Sequence, residues 1–128
     1  MRLLLDTHIA LWAITDSPRL ATHARKLITD PANSIHVSTA SVWEIAIKHM
    51  LGRGDMPVAG TQASAYFREA GYIELPIVDA HIAMLESLPS YHADPFDRLL
   101  VAQALAEPLR LLTHDALVSQ YSDSIILA

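Results

Sequence analysis

Short apolar runs alternate with helical patterns along the whole chain, and this alternation constrains the fold more than any other feature of the sequence. Leu3-Leu4-Leu5 is apolar at every position, as a strand buried on both faces must be. Ser34 to Ser38, Tyr72 to Ile77, Arg110 to Thr113 and Ser124 to Leu127 read as further strands. Between them, Ser17-Pro18 opens a helix running to about Thr29, and Asp30-Pro31 closes it. Thr39 to about Leu51 is a second helix, stopped by Gly52, and Thr61 to Ala70 a third, stopped by Gly71. Asp79 to Leu88 ends before Pro89, and Phe96 to Glu107 before Pro108. Gly52 to Gly60, with three Gly and one Pro, is the least ordered-looking loop. The pattern predicts an α/β fold with a central, mostly parallel sheet of about five strands, as one domain over residues 1–128.

Composition narrows the setting. With 52% hydrophobic and 18% charged residues the chain can build a core and is not a disordered sequence. No apolar run reaches the ~18 residues that span a bilayer, and Asp6 interrupts the start too early for a secretory leader. There is no cysteine, which excludes disulfides and thiolate metal sites and agrees with a reducing compartment. The expectation is a cytoplasmic protein without a membrane anchor. The formal charge of −5 argues at first against a nucleic-acid partner. Setting aside the four acids considered next leaves −1, and one bound divalent cation would bring the total to +1. Charge alone therefore decides neither way.

In an open parallel sheet ligands bind beyond the carboxyl ends of the strands. Asp6 directly follows the first strand, and Asp115 follows the fourth by two residues. Glu44 lies one to two turns into the helix after the second strand, and Asp97 in the first turn of the helix beginning near Phe96. Each has a plainer reading when taken singly. Asp is common in turns and at helix starts, and Glu44 has Lys48 four residues on as a natural ion-pair partner. Glu44 nonetheless stands among Val42, Trp43, Ile45, Ala46 and Ile47, where a lone carboxylate is costly to bury. Four carboxylates sharing one site repel one another unless a cation neutralises them. Oxygen ligands suit Mg²⁺ or Mn²⁺, and no pair of His at metal-binding spacing stands near these acids to favour zinc. His8, His92 and His114 each neighbour one of the acids, with an ordinary hydrogen-bonded or solvated His as the plainer role.

Four stretches carry a resemblance: Leu3-Leu4-Leu5-Asp6-Thr7-His8, Ser41-Val42-Trp43-Glu44-Ile45-Ala46-Ile47-Lys48, Asp94-Pro95-Phe96-Asp97-Arg98-Leu99-Leu100 and Leu112-Thr113-His114-Asp115. In this order they resemble the PIN-domain toxins of the VapC type over nearly the whole chain. The Asp-Pro-Phe-Asp-Arg-Leu-Leu string is specific, while the single-acid motifs are not. The resemblance implies a three-layer α/β/α fold and an endoribonuclease using Mg²⁺ or Mn²⁺. It also implies a toxin held inactive by a cognate antitoxin, and a homodimer. Its catalytic, metal-binding acids fall on Asp6, Glu44, Asp97 and Asp115. Thr7 and Thr113 match accessory polar positions, and Ser38 stands where a small hydroxyl residue is common. Arg98 is a candidate phosphate contact, or equally a partner for a nearby acid. Ala93 departs from the pattern, because relatives often carry a basic residue there.

The chemistry implied is metal-assisted, in-line hydrolysis of an RNA phosphodiester. A non-catalytic PIN-like scaffold is the alternative, although a scaffold has no need of four matched acids. A receiver-type phosphoacceptor module would need paired acids before the acceptor Asp and a Lys after the last strand, and both are missing. A haloacid-dehalogenase-like phosphatase would need an acid where His8 stands. For dimer burial the sequence offers Trp12, Trp43, Tyr66 and Phe67, with Trp43 better suited to core packing.

Overall fold

The computed structural model describes residues 1–128. Five parallel strands form one sheet: β1 (Arg2–Leu5), β2 (Ser34–Ser38), β3 (Ile73–Leu75), β4 (Arg110–Thr113) and β5 (Ile126–Leu127), in the order β3-β2-β1-β4-β5. Seven helices flank the sheet: α1 (Thr7–Ile14), α2 (Thr22–Thr29), α3 (Thr39–Met50), α4 (Gly60–Glu69), α5 (Asp79–Glu86), α6 (Pro95–Ala106) and α7 (Ala116–Ser119). The arrangement is the three-layer α/β/α architecture expected from the sequence.

The layers follow from the period-2 alternation of strand side chains. Leu3 and Leu5 of β1 join Ile35, Val37 and Leu112 in a core beneath α1, α2, α3 and α4, whose Ile9, Leu11, Ala24, Ile45 and Phe67 close it. Leu4 points the other way and packs with Leu75, Leu111 and the α6 residues Leu99, Leu100, Val101 and Ala104. All three leucines of β1 are fully buried, each burial contributing roughly 1.5–3 kcal/mol. The register pairs Leu4 with His36 on one side and with Leu111 on the other, so β1 is the central strand. Gly60 opens α4 where α3 passes close by. A Cβ there would lie 2.7 Å from the Ala46 Cβ, so only glycine permits this approach.

Several boundaries differ from the sequence reading, each for a physical reason. Helix α1 was not expected. It starts directly after β1, and its run Ile9-Ala10-Leu11-Trp12-Ala13-Ile14 is apolar on nearly every side, leaving no amphipathic period to detect. The helix expected from Ser17 begins only at Thr22. The third strand ends at Leu75, where Pro76 removes a donor from the ladder. The last strand shrinks to Ile126–Leu127, and α7 is one extra turn. Trp43, favoured for core packing, is 54% exposed, whereas Phe67, offered for a subunit interface, is in the core. Tyr66 is exposed and Trp12 is half-buried against the core. No helix is long and apolar enough to cross a membrane.

Candidate active site

The carboxyl ends of β1, β2 and β4 lead directly into helices, and the strand-to-helix junctions carry the polar residues. Asp6 is the N-cap of α1: its Oδ1 accepts from the Ile9 N–H at 2.8 Å. Its Oδ2 accepts from the Thr113 hydroxyl at 2.6 Å and lies 3.3 Å from His114 Nδ1. That contact with Asp6 raises the His114 imidazole above its ordinary value, against the effect of burial. Asp115 caps α7 through the Leu117 N–H at 2.8 Å, and its Oδ2 lies 2.9 Å from His92 Nε2. Burial pushes the Asp115 carboxyl upward, but His92 and the backbone N–H groups of α7 outweigh it and hold the carboxyl below its usual value.

Helix α6 begins as a well-formed N-terminus. Asp94 is the N-cap, accepting from Phe96 N–H at 2.8 Å and Asp97 N–H at 3.2 Å, and Pro95 occupies the first helical position. Asp97 in the first turn is free of that duty. Burial first, then repulsion from Asp94, Glu44 and Asp6, pushes its carboxyl up to about 7, with His92 opposing. Glu44 projects from α3 and is 3% exposed. Its Oε2 pairs with the Lys48 ammonium, while its Oε1 is buried without any hydrogen-bond partner.

The structure therefore brings Asp97 and Asp115 together with His92, each offering a ligand atom within 4.8 Å of the other two. Asp6 and Glu44 stand outside that trio but close enough to Asp97 to repel it. His92 is the residue whose part at the site the sequence reading undervalued. Its position five residues before Asp97 in Tyr91-His92-Ala93-Asp94-Pro95-Phe96-Asp97 was the available signal. It spans the loop into α6, where no periodic rule applies.

Three of the polar residues expected to touch substrate are buried and engaged within the protein. Thr7 Oγ1 donates to Ser41 Oγ at 3.0 Å. Ser38 caps α3 through the Ala40 N–H and donates to Gln103 Oε1 at 2.5 Å. Thr113 accepts from the Asp115 N–H at 3.1 Å while donating to Asp6. These contacts suit hydroxyls that hold strand ends and acids in place. Arg98 Nη1 donates to the Pro89 carbonyl and to the Tyr121 hydroxyl, tying the loop before α6 to the segment after α7. No acid partner is needed to explain it.

The donor set fits a hard divalent cation. The acids are oxygen donors, one carboxylate oxygen is buried with nothing to bond, and burial with crowding holds one carboxyl near neutrality. His92 adds a nitrogen donor, which Mn²⁺ accepts readily and Mg²⁺ less so.

A family model for the PIN domain matches residues 3–123. The chain belongs to the PIN domain family. Solved structures of similar fold include VapBC2 from Rickettsia felis bound to a DNA fragment from their promoter. It has a TM-score of 0.71 at 17% identity, covering 100% of this chain and 98% of that one. FitAcB from Neisseria gonorrhoeae has a TM-score of 0.63 at 18% identity, covering 98% and 96%. VapBC-1 from nontypeable Haemophilus influenzae has 0.61 at 17%, covering 100% and 97%. No curated protein matches the sequence. At these identities the structural likeness speaks for the PIN fold alone.

Proposed function

We propose that this PIN-domain chain is a divalent-metal-dependent endoribonuclease, the toxin of a toxin–antitoxin pair, with Asp6, Glu44, Asp97 and Asp115 as its acids. The observation that carries the reading is the crowding of these carboxylates. Burial, joined by repulsion from Asp94, Glu44 and Asp6, holds Asp97 near neutrality, and Glu44 keeps an unpaired buried oxygen. A protein gains nothing from such repulsion unless a cation relieves it. Family membership supplies the nuclease class, and the VapBC structures of similar fold support a protein antitoxin as partner.

A bound Mg²⁺ or Mn²⁺ would supply Lewis acidity, lowering the pKa of an attacking water and offsetting charge on the phosphodiester oxygens. Asp97, Asp115 and His92 would hold it, with Asp6 and Glu44 as further carboxylates on the same edge. Thr113 fixes the Asp6 carboxylate, and Ser38 fixes the start of α3, which carries Glu44. We assign Thr7, Ser38 and Thr113 to positioning of this kind. Lys48 holds Glu44 Oε2 and leaves Oε1 for the cation.

We further propose a cytoplasmic setting and a homodimer. Exposed Trp43, packed edge-on to Phe96 at 5.0 Å, is an apolar surface for a protein neighbour. The test of function is direct. Purified protein should cut a structured RNA with Mg²⁺ or Mn²⁺ and stop with EDTA; full activity under chelation would overturn the mechanism.

A further inference from the structure

We propose that Trp12, braced by His8 and His114, is an aromatic platform on which an unpaired base of the RNA stacks beside the scissile phosphate. The inference rests on the ribonuclease reading and adds a subsite to it.

His8 and Trp12 stand four residues apart on α1, so they share one face of that helix. His114 comes to them from the end of β4. The His8 and Trp12 ring centroids are 5.7 Å apart at 44°, those of Trp12 and His114 4.9 Å at 60°, and those of His8 and His114 5.4 Å at 76°, so the two imidazoles brace the indole without sharing its plane. Such a cluster in a core would be sealed. Here the His114 side chain is 40% exposed, that of His8 25%, and Trp12 is only half-buried.

The cluster touches the acids, because His114 Nδ1 lies 3.3 Å from Asp6 Oδ2. Of the three rings, Trp12 also lines an open cavity of about 280 Å³, with Leu11, Thr15, Arg19, Asp55 and Pro57 among its other walls, which gives a base room. His8 is held in place by Asp55 at 3.2 Å, which pins the 52–60 loop against the rings.

Charge gives the platform its purpose. A chain with net charge −5 and crowded acids at its centre attracts phosphate poorly. Stacking on an aromatic face adds affinity without cationic side chains, and every base has a face to offer. The platform selects unpaired bases, since a base inside a duplex already stacks on its neighbours.

The test compares Asp97→Asn with Asp97→Asn/Trp12→Leu, the first change serving to stop cutting during measurement. Probes are a fluorescein-labelled single-stranded oligoribonucleotide and an abasic strand of the same length, read by anisotropy with Mg²⁺. Trp12→Leu should weaken binding of the RNA about tenfold and leave the abasic strand within twofold. Trp12→Phe should retain most of the RNA affinity, and thermal unfolding establishes that each variant folds. Equal affinity of the Asp97→Asn protein for both strands overturns the platform, as does an equal loss on both in Trp12→Leu. Cleavage assays on the protein without Asp97→Asn separate the two claims. RNA that is bound with this base dependence but never cut would sink the nuclease and keep the platform.

Discussion

The Thr113 hydroxyl donates to Asp6 Oδ2 at 2.6 Å and accepts from the Asp115 N–H at 3.1 Å, so one fully buried side chain ties together the acids following β1 and β4. Replacing it with valine keeps the shape and removes both bonds. Thr113→Val should cost about 1–3 kcal/mol of stability, because the Asp115 N–H and the Asp6 carboxylate lose a partner in a buried place. It should also lower RNA cleavage at least tenfold, while Thr113→Ser retains most of both. Chemical denaturation and a cleavage time course on the three proteins check this, and full activity in the valine variant would show that Asp6 needs no such support.

Asp94 and Asp97 share one helix start but divide its duties. Asp94 is occupied by backbone N–H groups, so Asp94→Ala should cost about 1 kcal/mol and leave much of the cleavage rate. Asp97→Asn is nearly isosteric and removes a carboxyl crowded by three others, so it should remove most activity while stability holds or rises. Near-normal cleavage by Asp97→Asn would transfer the ligand role to Asp94.

Glu44 offers a contrast between two forces. Its Oε2 is paired to Lys48 and its Oε1 is bare. If the bare oxygen serves a cation, Glu44→Gln abolishes cleavage, leaves the metal-free protein as stable or more so, and shrinks the rise in Tm given by Mg²⁺. A large fall in metal-free stability would instead mark the ion pair as the reason for Glu44.

Stability of the metal-free protein should depend on pH through the same crowding. The Asp97 carboxyl, ordinarily at 3.8, titrates at about 7 in the folded chain. Below 3.8 it is protonated in both states and contributes nothing. Between the two values the folded state alone holds the proton, and stability falls as pH rises. By about pH 7 the loss approaches its limit, on the order of 4 kcal/mol. His114, raised by Asp6, works in the same direction, whereas Asp115, lowered by His92, costs stability only as pH drops toward its own range. Thermal unfolding in EDTA should show decreasing Tm from mildly acidic to neutral pH, and Mg²⁺ should flatten the trend. An unchanged slope in Asp97→Asn would place its origin elsewhere.

The sequence displayed the parallel sheet because buried strands leave a mark that survives reading in one dimension: Leu3-Leu4-Leu5 and Leu111-Leu112 are apolar on both faces. The capped start of α6 was equally plain, since Asp94, Pro95 and Asp97 act within one helical turn. Helix α1 escaped notice because burial on most sides erased its period. His92 joins Asp115 only through the folding of the chain across 23 residues, and no spacing rule encodes that contact. The exposure of Trp43 was hidden for a related reason. Its apolar neighbours in α3 bury one face of that helix, and the sequence alone did not say on which face Trp43 falls.

The strand order has a consequence for the timing of activity during synthesis. β1 lies between β2 and β4, and its register on the second side joins Leu3 to Arg110. The half-sheet β3-β2-β1 can pair once about the first 75 residues are free, but the edge that bears Asp6 stays open until β4 arrives. Closing so long a loop is slow and comes late in folding. A nascent chain therefore carries Asp6 and Glu44 long before it carries Thr113 and Asp115. The proposed site is therefore whole only after Asp115 has followed Glu44 out of the ribosome, which gives a partner synthesised beforehand time to be waiting.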